Sequence, residues 1–160
     1  MASILDTLTD QLGGDTLKQL SGMLGADEQT TGAATGAALS TLLGALSRNA
    51  STPQGAEALS GALSRDHDGS VLDNVGGLLG NPEAGGGDAI LGHVLGNRRG
   101  RVESALSQTT GIDQGSAGKL LAALAPMVLG ALGRQQKQGS MDASALAGML
   151  GQERQALAQR

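Results

Sequence analysis

Apolar residues recur along this chain at i, i+3, i+4 and i+7, the spacing that gathers them on one face of an α-helix. Ile4, Leu5, Leu8 and Leu12 open the series, followed by Leu17, Leu20, Met23 and Leu24. Ala38, Leu42, Ala45 and Leu46 form the next stripe, then Ala56, Leu59, Ala62 and Leu63. Val71, Leu72, Val75, Leu78 and Leu79 follow, and after them Ile90, Leu91, Val94 and Leu95. Val102, Ala105 and Leu106 precede Leu121, Leu124, Val128, Ala131 and Leu132; Ala145, Leu146, Met149 and Leu150 close the set. No strand-like alternation interrupts these stripes, so the pattern predicts an all-α protein.

Glycine and aspartate punctuate the stripes. Gly13, Gly14, Gly25, Gly80, Gly96, Gly111 and Gly151 stand where a stripe ends, the place for a left-handed residue that closes a helix. Asp15, Asp27, Asp68, Asp88, Asp113 and Asp142 stand just before a new stripe, as N-caps or first-turn acids. Pro126 interrupts the stripe Leu120 to Gly133, where it removes a hydrogen bond and crowds the Ala122 carbonyl. A kink or break is expected there.

The two halves also resemble each other. A shift of 86 residues sets LLGALSR (Leu42 to Arg48) on VLGALGR (Val128 to Arg134), and Leu20 to Arg48 matches Leu106 to Arg134 at 11 of 29 positions. A one-residue slip then aligns ALSGALS (Ala58 to Ser64) with ALAGMLG (Ala145 to Gly151). Chance would give roughly three identities over the longer match, so the chain reads as a duplication. Each copy is too small to bury a good core alone. The expected architecture is therefore two pseudo-symmetric repeats of about four short helices in one compact domain. Repeat one covers about 1–80, a glycine-rich joint 81–87, and repeat two about 88–160.

A ladder of small residues survives the duplication. Gly32, Gly36, Ser40 and Gly44 recur every fourth position, and their counterparts are Gly118, Ala122, Pro126 and Gly130. Such a ladder lets another backbone approach closely. It marks a crossing of the two long helices inside the domain, a contact between protomers, or a dimer face within a membrane.

Composition sharpens the picture mainly by exclusion. Glycine occupies 27 positions where average usage would give about 11, and Phe, Tyr, Trp and Cys are absent. Without cysteine there is no disulfide framework, thiolate zinc site or cysteine nucleophile. Without aromatics there is no base-stacking platform or cation cage. The net charge of −4 gives no global attraction to nucleic acid. The first residues carry Asp6 and Asp10 and no basic cluster, unlike a secretory leader, so a cytoplasmic location is expected. Gln29 to Ser47 is free of charge but rich in Thr, Ser and Gly, and Leu120 to Gly133 is only 14 residues long. Both read as core helices, and no membrane span is expected.

The central run Gly87-Asp-Ala-Ile-Leu-Gly-His-Val-Leu-Gly96 is followed by Asn97-Arg-Arg-Gly-Arg101, then VESALSQTTG (Val102 to Gly111) and LLAALAPMVLGALG (Leu120 to Gly133). This order resembles the bacterial family of uncharacterised proteins typified by YidB. The resemblance covers about residues 68 to 135 well and extends weakly into the first half through the duplication. It implies a small, all-helical, soluble bacterial protein and brings no activity, cofactor or catalytic residue with it.

Few side chains offer chemistry. His93 sits within the central run, and its surroundings suit either a hydrogen bond to a backbone carbonyl or a binding role. Asp66-His67-Asp68 lines up three possible ligands, but neighbours in an extended segment point in opposite directions, and no metal is expected. Gly85-Gly86-Gly87 lacks the preceding strand and following lysine of a phosphate cradle. Arg98, Arg99 and Arg101 form the one dense basic patch. They suit either the negative end of a helix dipole or an anionic partner surface. With Glu103 beside them and the chain acidic, a protein partner, a second copy included, fits better than nucleic acid. The expectation is thus a non-enzymatic contact protein with no cofactor, acting by self-association or protein contacts. Its contact residues would be His93, Arg98, Arg99 and Arg101 with the ladders Gly32, Gly36, Ser40, Gly44 and Gly118, Ala122, Gly130. The alternative is a module that holds a small or lipid-like anionic ligand between the repeats.

Overall fold

The computed structural model describes residue 8 and residues 15–66 and 87–158. The segments 15–66 and 87–158 hold seven α-helices: α1 (Asp15–Leu24), α2 (Glu28–Asn49), α3 (Pro53–Asp66), α4 (Gly87–Val94), α5 (Arg99–Thr110), α6 (Gln114–Gly139) and α7 (Ala143–Ala158). A single 3₁₀ turn, Gly96–Arg98, joins α4 to α5. The fold class is all-α, and the described residues contain no strand.

Two matching stretches of sequence build the same local device. After α1, Gly25 adopts the left-handed conformation (φ 66°), and after α5 Gly111 does so (φ 85°). Two residues on, Asp27 and Asp113 act as N-caps of the two long helices. Each carboxylate accepts a 2.7 Å hydrogen bond from the N–H three residues later, of Thr30 and Ser116 respectively. A positive φ costs glycine nothing, and a carboxylate at the cap satisfies an N–H that the helix leaves unpaired. These two bonds draw both carboxyl groups below the usual carboxylate range, chiefly through the backbone N–H. Gly96 is left-handed as well (φ 54°) and ends α4. Asp142 caps α7 by accepting from the Ala145 N–H at 2.8 Å.

Helix α6 is the axis of the fold. It packs against α1, α2, α3, α4 and α5, while α7 lies across α2 and α3. From Leu120 to Gly133 every residue but Ala122 is buried. Helix α2 turns its Thr31, Ala34, Ala38, Leu39, Leu42 and Leu46 face inward. Leucines supply most of the volume, with Leu20, Leu39, Leu43, Leu91, Leu121 and Leu124 fully enclosed, and alanines fill the close approaches. One continuous apolar core takes residues from both halves of the chain, from Leu8 to Leu150.

Two expectations need correction. Pro126 does not break the helix: α6 runs from Gln114 to Gly139 through it. The carbonyl that a proline leaves without a donor is that of the residue four earlier. Here that residue is Ala122, the one partly exposed position in the run, at the edge of the packing. Gly151 likewise ends nothing, since α7 continues to Ala158. Gly13, Gly14, Gly80, Asp68, the stripe Val71 to Leu79 and joint positions 81–86 lie outside the described residues.

Candidate contact face and cavity

Helix α2 divides sharply into two faces. On the outer one Glu28, Gln29, Ala33, Gly36 and Arg48 are exposed, and Gly32, Ala37, Ser40, Thr41 and Gly44 are half-buried. A side chain grown from Gly32, Gly36 or Gly44 would meet nothing within 4 Å among the described residues. Of the first ladder Gly36 is exposed and Gly32 half-buried, while Ser40 and Gly44 line a groove toward Leu95 and Val102. The ladder's counterparts on α6 behave differently: Gly118 and Gly130 are buried and Ala122 half-buried. A Cβ at Gly118 would come within 3.0 Å of the Glu103 carboxylate on α5. The same spacing thus lies in the core on α6 and reaches the surface at Gly36 on α2.

The arginines fall into distinct settings. Arg98 closes the 3₁₀ turn, is half-buried, and faces Arg48 across a groove of about 260 Å³. Ser40, Thr41, Gly44 and Ala45 of α2 form one wall of this groove, and Leu95 and Val102 complete the other. Arg99 and Arg101 lie in the first turn of α5. That is the positive end of its dipole, where a cation is disfavoured, so the dipole of α4 alone does not account for them. Arg99 is compensated by an ion pair with Glu103, Nε to Oε1 at 2.9 Å. Arg101 is exposed.

His93 is exposed in the last turn of α4 and stands at the rim of a different hollow. This cavity, about 590 Å³, is walled by Leu46 of α2, Leu59 and Ala62 of α3, Ile90 and Val94 of α4, and Leu129 of α6. Asn49 shapes it by donating from Nδ2 to the Val94 carbonyl at 3.3 Å, which ties the end of α2 to the end of α4. The volume lies within the range of small-molecule sites. Its walls come from both halves of the chain, but Arg98, Arg99 and Arg101 do not line it. His93 is the one ionisable side chain of the described lining.

No group of three or more Asp, Glu or His among the described residues could hold a metal ion. Asp66 ends α3, while His67 and Asp68 fall outside the described residues, as do Gly85 and Gly86. Two residues of the α2 face, Glu28 and Arg48, had a signal in the sequence that pattern-reading passed over. They extend the four-residue ladder by one step at each end. Helix α6 is long and apolar enough to cross a bilayer, but 78% of its apolar window is buried by its neighbours in this fold.

An all-helical bundle around one buried helix, with a small-residue outer face and an apolar cavity, defines the class of protein. The chain belongs to a family described as bacterial proteins of unknown function (DUF937), whose model matches residues 6–135. The YidB-like resemblance is consistent with this family. No curated protein and no solved structure matches the chain.

Proposed function

We propose that this protein is a non-enzymatic interaction module of the cytoplasm, acting through helix-mediated self-association or contact with another protein. The observation that carries this reading is the outer face of α2. Between Glu28 and Arg48 it bears no charge, although an outward helix face normally carries several. Beyond Gln29 it offers Gly, Ala, Ser and Thr only. Small side chains there lose little entropy on burial and allow a close helix–helix approach. Arg98 and Arg48 at one end add a charged anchor. The pseudo-symmetric repeat belongs to the same reading: one copy commits its ladder to the core, and the other keeps it for a partner. Light scattering over a concentration series tests the proposal. Growth of the mean mass with concentration supports self-association, and a strict monomer at high concentration counts against it.

A second reading rests on the cavity beside His93. Its size and leucine-rich wall suit a small apolar ligand with an anionic head that His93 would meet at the rim. Native mass spectrometry of protein purified from its host decides it, since a resident ligand would travel with the protein. Repeated absence of any added mass removes this reading.

A further inference from the structure

Arg48, in the last turn of α2, and Arg98, in the 3₁₀ turn before α5, border one groove of about 260 Å³. Two guanidinium groups at one hollow repel each other unless a negative charge stands between them. None of the described lining does so: Ser40, Thr41, Gly44, Ala45, Leu95 and Val102 are all uncharged. Glu103, the nearest carboxylate in sequence, is bound to Arg99. We propose that this groove is a binding site for a phosphate monoester group, held between the guanidiniums of Arg48 and Arg98. It shares no lining residue with the cavity beside His93, and it depends on neither functional reading above.

Charge selects the ligand. A phosphate monoester carries about −1.5 to −2 at pH 7 and three strong acceptor oxygens. Each guanidinium can meet two of those oxygens through parallel N–H bonds. A carboxylate brings a single charge and leaves the second arginine uncompensated. Helix dipoles do not replace the anion, because Arg98 is also the N-cap of α5, where the dipole is positive and the first turn holds no acid.

The walls fit the same group. Ser40 is half-buried on the α2 wall and offers a hydroxyl donor. Thr41 does not, since its hydroxyl already donates to the Ala37 carbonyl at 2.8 Å. Gly44 stands one turn from both Ser40 and Arg48, and a Cβ there would meet nothing within 4 Å among the described residues. The groove is therefore open down to the helix backbone at that point. Leu95 and Val102 make the facing wall apolar, which strengthens charge-assisted hydrogen bonds beside it. The volume is below the roughly 300 Å³ at which sites begin to enclose a whole organic ligand. The groove takes the phosphate and leaves the esterified group outside.

Titration with inorganic phosphate, followed by amide NMR shifts, tests the site. Saturable shifts centred on Ser40, Gly44 and Leu95 are expected. Arg48→Gln and Arg98→Gln should each weaken binding about tenfold or more. Gly44→Leu keeps both arginines but fills the space between them, so binding is lost while circular dichroism shows the helicity intact. Arg101→Gln removes the same charge from an exposed position outside the groove and should change the affinity by less than about twofold. Phosphatidylcholine vesicles carrying phosphatidic acid present the same group on a lipid. Capture by them, lost in Arg98→Gln, assigns the ligand to a membrane surface; phosphate binding without capture assigns it to a soluble phosphoester. Absence of saturable shifts, or an equal loss in Arg101→Gln and Arg98→Gln, overturns the site.

Discussion

The hydroxyl of Ser116, in the first turn of α6, donates to the carbonyl oxygen of Leu24 at 3.3 Å, joining the end of α1 to the start of the central helix across 92 positions of sequence. The Leu24 carbonyl ends α1 and has no donor within its own helix, and the bond is buried. Ser116→Ala leaves the Leu24 carbonyl without it, and a loss of about 1 kcal/mol is expected in urea unfolding. The backbone cap from Asp113 remains in this variant, so α6 itself stays formed.

Acid should weaken the two caps together. The carboxyls of Asp27 and Asp113 lie below their unfolded values because each accepts a backbone N–H. Their contribution is therefore complete above the unfolded pKa, about 4, and is lost as pH falls through the folded values. The double variant Asp27→Asn, Asp113→Asn keeps a capping side chain but cannot titrate. Its melting temperature should fall less steeply than that of the parent below about pH 4, as followed by circular dichroism.

Thr31 and Thr35 are buried on the inner face of α2, and neither hydroxyl has a hydrogen-bond partner among the described residues. Desolvating a hydroxyl without a partner costs free energy that a methyl group of the same shape does not. Thr31→Val is expected to stabilise the fold by about 1 kcal/mol, measured in chemical denaturation. An unchanged or lower midpoint would show that the hydroxyl is satisfied in solution.

Two glycine-to-alanine substitutions should act in opposite directions. Gly36→Ala enters open space on α2 and replaces a poor helix former, with a gain of about 0.5–1 kcal/mol for the single copy. Gly55→Ala drives its Cβ into the carbonyl oxygen of Asn49 and should destabilise the turn between α2 and α3. Thermal melts of the two variants at the same dilute concentration provide the comparison.

Truncation at the axis gives the largest expected loss. Met127 is fully buried one turn above Ala123. Met127→Ala should cost about 2–5 kcal/mol, because neighbours held by five other helices cannot close the gap completely.

Local signals in the sequence were the readable ones. Gly25–Asp27 and Gly111–Asp113 announce a helix end and a helix start within three residues, because their φ angles and caps depend on nothing remote. The inward stripe of α2 and the core role of Leu121, Leu124 and Val128 follow from spacing in the same way. What could not be read depends on neighbours. Pro126 is tolerated because the carbonyl it frees belongs to a partly exposed Ala122, and exposure is a property of the packed fold. The two ladders share one spacing, yet only tertiary placement decides that Gly118 faces Glu103 while Gly36 faces outward. His93 was a candidate from its motif. The cavity beside it is built from four separate helices, and no local pattern describes such a wall.

Burial of α6 on nearly every side carries a consequence for the newborn chain. Until its neighbours close around it, the apolar run between Lys119 and Arg134 stands open to water and to other unfinished chains. The shorter helices act as its shelter, and a chain that cannot dock them is diverted toward aggregation before its architecture is complete.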